Sequence, residues 1–310
     1  MTSTLENYFR IQEDLISKYG ERSVTLYQVG SFYEMYGTCE EDLREVANVL
    51  NFHLTQKNKS DKMSAYMCGF PDFSLEKHVT KLVVEHKYTI AVYDQQDIDG
   101  KKEKKRVLRE VVSPSTYLSD DIHISNELLC ITIDSFTARA SKTTFNHVCM
   151  SSIDVSTGKS RCSECIDNKD NKNLCMNEVK RWIYTICPCE IIIIGKTDSN
   201  IYKDITNGQF SHIKIHHRDI DKKYYNLDYQ KEFMNKIFDP STIHSQFNGN
   251  GELLGCYLYM LQFAFEHDPL IIQKLNYPSQ LHTSSQLYLN NDCIYQLNLF
   301  TQETNQTSSL

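Results

Sequence analysis

No stretch of this 310-residue chain approaches the ~18 consecutive apolar residues that a membrane-spanning helix needs. No N-terminal apolar segment of signal-peptide type is present. Net positive charge is also missing. The balance of -7 argues against a protein that coats nucleic acid by bulk charge, although a local basic patch remains compatible with it. There is no internal repeat and no low-complexity tract, so a repeat array is excluded. Glycine and alanine are scarce beside abundant lysine, asparagine, isoleucine and tyrosine, a bias read as coding usage and not as function. Cysteine is not scarce, but its 11 copies are odd in number and scattered through apolar runs, as at Cys68, Cys130, Cys149 and Cys256. That pattern suits reduced buried thiols in an intracellular protein better than a disulfide framework.

The apolar fraction of 40% supports packed cores, and the length suits about two domains. Residues 4–19 carry an apolar stripe at helical spacing, with Thr4 as a cap and Gly20 beyond the end. Val24–Val29 alternates as a strand. Gly30 breaks it, Ser31 is placed to cap, and Glu34 stands three later, a spacing that predicts a capping box and a helical start. Cys39–Leu50 predicts an amphipathic helix. Phe52–Leu54 predicts a strand leading into a basic loop at 56–62, and Met67–Pro71 an apolar turn. Ser74 opens a helix to Glu85; strands are expected at Thr89–Tyr93 and Val107–Val112, around a charged tip from Asp99 to Arg106. Strands alternating with helices make an α/β domain of residues 1–117.

A linker follows at 118–127, then a second α/β unit at 128–250. Its strands are expected from Leu128, at Val148–Val155 and at Lys159–Ile166. The helix Leu174–Ile186 runs into Glu190–Gly195, a continuous β-branched run of the kind a buried parallel strand requires. Ile213–His217 reads as another strand. From Tyr224 the pattern is helical, most strongly at Leu253–Phe265, and residues 251–310 look like the start of a further, helical part.

Several residue sets could carry chemistry. Gly158-Lys159-Ser160 looks like the end of a phosphate loop, but the position that needs an earlier glycine is Ile153, so a hairpin turn is expected and no nucleotide site. Cys162 and Cys165 have zinc-ligand spacing, yet alternation would point them to opposite faces, and Cys187-Pro188-Cys189 has the wrong spacing for the second pair a zinc site needs. Asp134 and Asp154, on neighbouring strands, are a magnesium-binding pair on one reading and turn-capping or solvated carboxylates on another. His216-His217 reads as a surface pair. Lys57–Lys62, Lys101–Arg106 and Arg109 are either solvated loops or phosphate contacts that position a duplex.

Tyr27–Tyr36, Y-Q-V-G-S-F-Y-E-M-Y, resembles the Y-R-M-G-D-F-Y-E-L-F stretch of the MutS DNA mismatch-repair proteins. The likeness continues in order through Leu54–Lys57 (L-T-x-R/K), Met67–Pro71 (M-A-G-I/F-P), Ala91–Gln95 (V-A-x-x-E-Q) and Arg109–Thr116 (R-x-x-x-T-P-G-T). Asp154–Gly158 resembles the D-x-S-T-G turn of the family's connector. Ser31 stands where the family has Asp, and Ser115 where it has Gly. Large-DNA-virus and octocoral-mitochondrial members of the family would suit the residue usage.

The resemblance implies a mixed-sheet mismatch-binding domain, a ribonuclease-H-like connector without a nuclease site, and the entry into a helical core. It implies that Phe32 enters the minor groove and stacks on a mispaired base, that Glu34 bonds the base edge, and that Lys57 and Arg109 contact DNA. Mismatched double-stranded DNA is the expected ligand. No catalytic residue, metal or cofactor is expected in this chain; ATP and magnesium belong to the full-length protein, an ATPase. A homodimer, a MutL-like partner and a place at sites of DNA replication are expected of that whole protein. Two other readings stand beside this one. The first is a magnesium-dependent nuclease using Asp134 and Asp154. The second is a non-catalytic interaction platform in which Phe32 is buried.

Overall fold

The computed structural model describes residues 4–57, 65–97, 104–118, 126–137, 143–208, 210, 212–238, 247, 250–271 and 275–281. The chain divides into two compact units, Met1–Asn126 with Gln262–Gln273, and Glu127–Leu261 with Lys274–Leu310.

The first unit is built on a six-stranded mixed sheet in the order β3-β4-β2-β1-β5-β6. Its strands are β1 (Ser23–Val29), β2 (Phe32–Gly37), β3 (Thr55–Gln56), β4 (Tyr66–Pro71), β5 (Thr89–Asp97) and β6 (Lys104–Val112). β1 runs antiparallel to β2 and parallel to β5. Helix α1 (Thr4–Tyr19) covers one face, where Tyr8 stacks edge-on against Tyr27 and Tyr36. α2 (Glu41–Leu50) and α3 (Leu75–Thr80), continued by a wider turn at Lys81–Glu85, close the other. Beneath them Leu26, Tyr33, Met35, Phe70, Leu82 and Val92 form the core. Each such side chain contributes about 1.5–3 kcal/mol by leaving water.

Three expectations change here. Residues 32–37 are a strand and not the opening of a helix. Gly30 lies at φ +63°, in the first position of a two-residue hairpin turn, where a type II′ turn takes glycine. Phe32, Tyr33 and Tyr36 favour extended backbone, and exposure alternates from Phe32 to Met35 before α1 covers Tyr36. A glycine, a serine and a glutamate three residues on imitate a helix cap, but the pairing of both strand edges overrides it. Met67–Pro71 is likewise the strand β4 and not a turn, paired along its length with β2. The anticipated strand at Phe52–Leu54 begins only at Thr55. Most of the basic loop at 56–62, much of the tip before Arg106 and residues 119–125 of the expected linker lie outside the described residues, and Glu127 already opens a strand.

The second unit carries another six-stranded sheet, β11-β10-β7-β8-β9-β12. β7 (Glu127–Thr137), β8 (Thr144–Asp154) and β9 (Lys159–Ile166) form an antiparallel meander. β10 (Glu190–Gly195) and β11 (Lys214–Arg218) add in parallel on the far side of β7; β12 (Ser279–Gln280) pairs with β9. α4 (Leu174–Ile186) and α5 (Asn200–Asn207) pack Trp182, Val179 and Ile205 onto one face. α5 has no apolar stripe long enough to read from sequence, and Ser199 caps it through the Tyr202 amide. α6 (Leu227–Ile237) and α7 (Gly251–His267) follow. On the other face of the sheet Cys256 of α7 touches Ser151, and Tyr257 bonds Ser160 at 2.9 Å. The fold is therefore α/β in both units.

Candidate nucleic-acid interface

Strand alternation decides which residues of β2 meet solvent. Tyr33 and Met35 point into the core, so Phe32, Glu34 and Tyr36 share the opposite face. Phe32 stands at the hairpin tip and is 46% exposed, unusual for a large apolar side chain flanked by a buried one. Phe73, which the sequence did not single out, is 87% exposed. It follows β4, whose Pro71 is the register partner of Phe32, and the Asp72 amide donates to the Ser31 carbonyl at 2.9 Å. The two rings therefore stand on adjacent turns.

Behind Phe32 lies a polar chain. The Lys57 ammonium donates to the Tyr36 hydroxyl at 2.8 Å, and that hydroxyl donates to Oε2 of Glu34. Burial, and then the Glu34 carboxylate, hold the Tyr36 pKa far above the ordinary phenol value, so the hydroxyl remains a donor. Burial pushes the Lys57 pKa below the usual lysine value; Glu34 pulls the other way and Arg106 adds to the burial effect. A carboxylate has two oxygens, so Glu34 keeps the capacity to accept a second donor. Gly69 lies opposite Glu34 in register, and a Cβ there would come within 2.6 Å of the Tyr33 carbonyl oxygen. Only glycine lets β4 approach at this point.

Arg106, which sequence reasoning put in a basic tip, belongs to the strand β6. Its guanidinium carbon lies 5.4 Å from the Tyr27 ring centre, and it donates to the Gln28 carbonyl at 3.1 Å and to Gln95 Oε1 at 2.9 Å. The same Gln95 oxygen accepts from the Gly30 amide at 3.2 Å. The hairpin tip is thus fastened to β5 and β6. Arg109 is placed elsewhere. The register of β5 and β6 slips between Val92 and Tyr93, and Arg109 is the extra residue of that bulge. It neighbours the hydroxyl of Tyr33, on the core side, and pairs with Glu110 at 3.0 Å. The structure brings Phe32, Glu34 and Lys57 together with Arg106, and sets Arg109 apart from them.

The other candidates resolve in the second unit. Asp134 pairs in register with His147 and Asp154 with Glu127, seven positions along the ladder. At about 3.3 Å per residue that is roughly 23 Å, too far for a shared ion. Asp154 instead takes the Ser156 amide and hydroxyl and the Thr157 hydroxyl, closing the turn before Gly158. Burial works against its charge, but these donors outweigh it and hold the carboxyl below the usual range. Gly158-Lys159-Ser160 is that hairpin. Cys162 is buried on the α7 side, while the Cys165 carbonyl meets the Cys175 thiol of α4. His216 is not on the surface as expected. It is buried against Glu190 at 2.9 Å, and burial holds its pKa below the ordinary value despite that carboxylate.

The family model "MutS domain I" matches residues 6–121. A DNA mismatch repair mutS homologue of Acanthamoeba polyphaga mimivirus is 25% identical over 94% of this chain and 29% of its own length. DNA mismatch repair protein MutS of Thermodesulfovibrio yellowstonii is 32% identical over 39% of this chain and 14% of its own. That of Caldicellulosiruptor saccharolyticus is 24% identical over 76% and 25%. The chain thus spans less than a third of the length of these relatives. A chain from a cryo-EM structure of the simian T-cell lymphotropic virus intasome with PP2A regulatory subunit B56 gamma covers 44% of this chain and 47% of itself, at 13% identity and a TM-score of 0.21, too slight a likeness to bear on fold or function.

Proposed function

This chain belongs to the MutS family of mismatch-repair proteins, and from that premise we propose that its first unit recognises mispaired or looped duplex DNA with Phe32 as a wedge. The observation that carries the reading is the exposure of Phe32 at a fastened hairpin tip, with Glu34, Lys57 and Arg106 on the same face. The ring enters the minor groove and stacks on a base. Unstacking costs a few kcal/mol per step, and least where pairing is already defective. Selectivity then follows deformability more than base identity. Glu34 accepts a donor from the displaced base edge while Oε2 keeps the Tyr36 hydroxyl. Its negative charge penalises intact duplex, whose phosphates approach without a compensating base contact. Lys57 and Arg106 contact phosphates, and Arg109 contributes more to holding Tyr33 and β6 than to DNA.

For the domains we propose mismatch binding at 1–117, a linker at 118–127, a connector at 128–250 and the beginning of a helical core at 251–310. An antiparallel meander with two parallel strands added beyond its first strand supports a ribonuclease-H-like reading of the connector. ATP and magnesium, dimerisation, a MutL-like partner and work at sites of DNA replication are proposed for the full-length protein. The separation of Asp134 and Asp154 removes the pair on which the nuclease reading rested, and the exposure of Phe32 removes the premise of the interaction platform.

The test is a titration of mismatched against matched duplex at two salt concentrations, with the wild-type chain and Phe32→Ala. The wild type should prefer the mismatch at both salts and the variant should bind the two duplexes alike. An undiminished preference in Phe32→Ala would sink the wedge.

A further inference from the structure

A second constellation lies in the sheet of the second unit. His147 and Cys149, two apart on β8, share a face. Register sets Glu164 of β9 opposite Cys149 and Asp134 of β7 opposite His147. The first turn of α7 lays Glu252 over the same face. Ligand atoms of His147, Cys149 and Glu252 lie within 4.8 Å of one another, and the three line a cavity of about 220 Å³ with Asp134.

The imidazole is the informative group. Nδ1 of His147 is 2.6 Å from Oε2 of Glu252, and Nε2 is 3.3 Å from Oε2 of Glu164. The Cys149 sulfur is 3.7 Å from Nε2. With Glu252 bonded at Nδ1, Nε2 faces Glu164 and the Cys149 sulfur, and the same Glu164 oxygen also accepts from the Asn250 side-chain nitrogen. The separations suit a bound cation. Zinc bonds of about 2.05 Å to nitrogen and 2.3 Å to sulfur, at a tetrahedral angle, put the two ligand atoms about 3.6 Å apart, and nitrogen and oxygen about 3.3 Å apart. A carboxylate on the far nitrogen of a ligating histidine is the usual means of fixing its tautomer.

We propose that His147 Nε2, the Cys149 sulfur and a Glu164 carboxylate oxygen form a site for a divalent ion of the zinc class. Glu252 accepts the Nδ1 proton of His147, and water in the cavity fills the remaining position. Sulfur and imidazole select against magnesium and calcium, which prefer oxygen. One thiolate and one carboxylate neutralise the ion. Burial keeps the Cys149 thiol protonated in the absence of metal, so binding forms the metal–sulfur bond as the S–H bond breaks and the proton passes to solvent. The ion ties α7 to β8 and β9.

The 310-residue chain, stripped with chelator, is titrated with Co²⁺. The expected result is a single site with sulfur-to-cobalt charge-transfer absorption, release of about one proton per ion, and displacement by Zn²⁺. Cys149→Ser and His147→Gln should abolish the band. Glu252→Gln alters a half-exposed carboxylate outside the core and should weaken binding about 10–100-fold with the fold intact. The site is overturned if no band forms, if the band survives Cys149→Ser, or if Glu252→Gln binds Co²⁺ as tightly as the wild type; the last result decides even where Cys149→Ser does not fold.

Discussion

The ammonium of Lys57 is bonded to the hydroxyl of Tyr36 at 2.8 Å and lies 4.2 Å from the centre of the same ring. Because that hydroxyl donates in turn to Glu34, one tyrosine, itself buried against Tyr8, sets the position of a cation and an anion on the face that carries Phe32. Tyr36→Phe removes both bonds and keeps the ring against Tyr8. Hydrogen bonds to charged groups contribute about 1.5–3 kcal/mol, so the mismatch-to-match binding ratio should fall roughly tenfold, with the folded structure retained. Duplex titration of the variant checks this; an unchanged ratio would show that Glu34 needs no such support.

Phe32 and Tyr33 are neighbours in sequence with opposite fates. Tyr33 is 3% exposed and its truncation to Ala should cost about 3–5 kcal/mol of stability, as for other large buried rings. Phe32→Ala should stay within about 0.5 kcal/mol, as an exposed position does. Urea unfolding of the two variants measures the difference. Equal losses would contradict the alternation of β2.

Lys57 and Arg109 should separate in their salt response. Lys57→Gln should lower the slope of log affinity against log salt by about 0.9, the amount for one phosphate contact. Arg109→Gln should leave the slope unchanged and affect stability instead, because Arg109 adjoins Tyr33 and Glu110. A slope change in Arg109→Gln alone would reverse the assignment.

Asp154 makes acid stability a readout of one turn. Its folded pKa lies below the ordinary value, so its contribution is present above the unfolded carboxylate pKa and is lost as pH falls through the folded one. Asp154→Asn should be less stable than the wild type at neutral pH, and the two curves should converge in acid. Denaturant unfolding from neutral to acidic pH follows this, and parallel curves would refute it.

Much of the architecture was legible because it rests on periodicity. The stripe of α1, the span of α4 and the β-branched run of β10 stand where the pattern puts them. β2 was not legible as a strand, since Ser31 and Glu34 carry the spacing of a capping box. The choice between Arg106 and Arg109 was also hidden. A bulge inserts one residue and reverses the parity of everything beyond it, and no count along β6 reveals where that happens. The donor set around His147 was out of reach for another reason: Glu252 comes from a distant helix, and only the packing of α7 on the sheet brings it in. Phe73 carried one signal, an apolar residue just after a Pro-Asp pair, where a turn would leave it in solvent.

The Gly30 amide and the Arg106 guanidinium meet on the single oxygen of Gln95. A two-residue turn carrying a large exposed ring would otherwise sample many orientations, each of which a partner would have to select against. Here the loss of backbone freedom is incurred when the chain folds and does not recur on contact. A target that accepts Phe32 therefore meets a projection already aimed, and the free energy of that encounter goes into reshaping the target and not the protein.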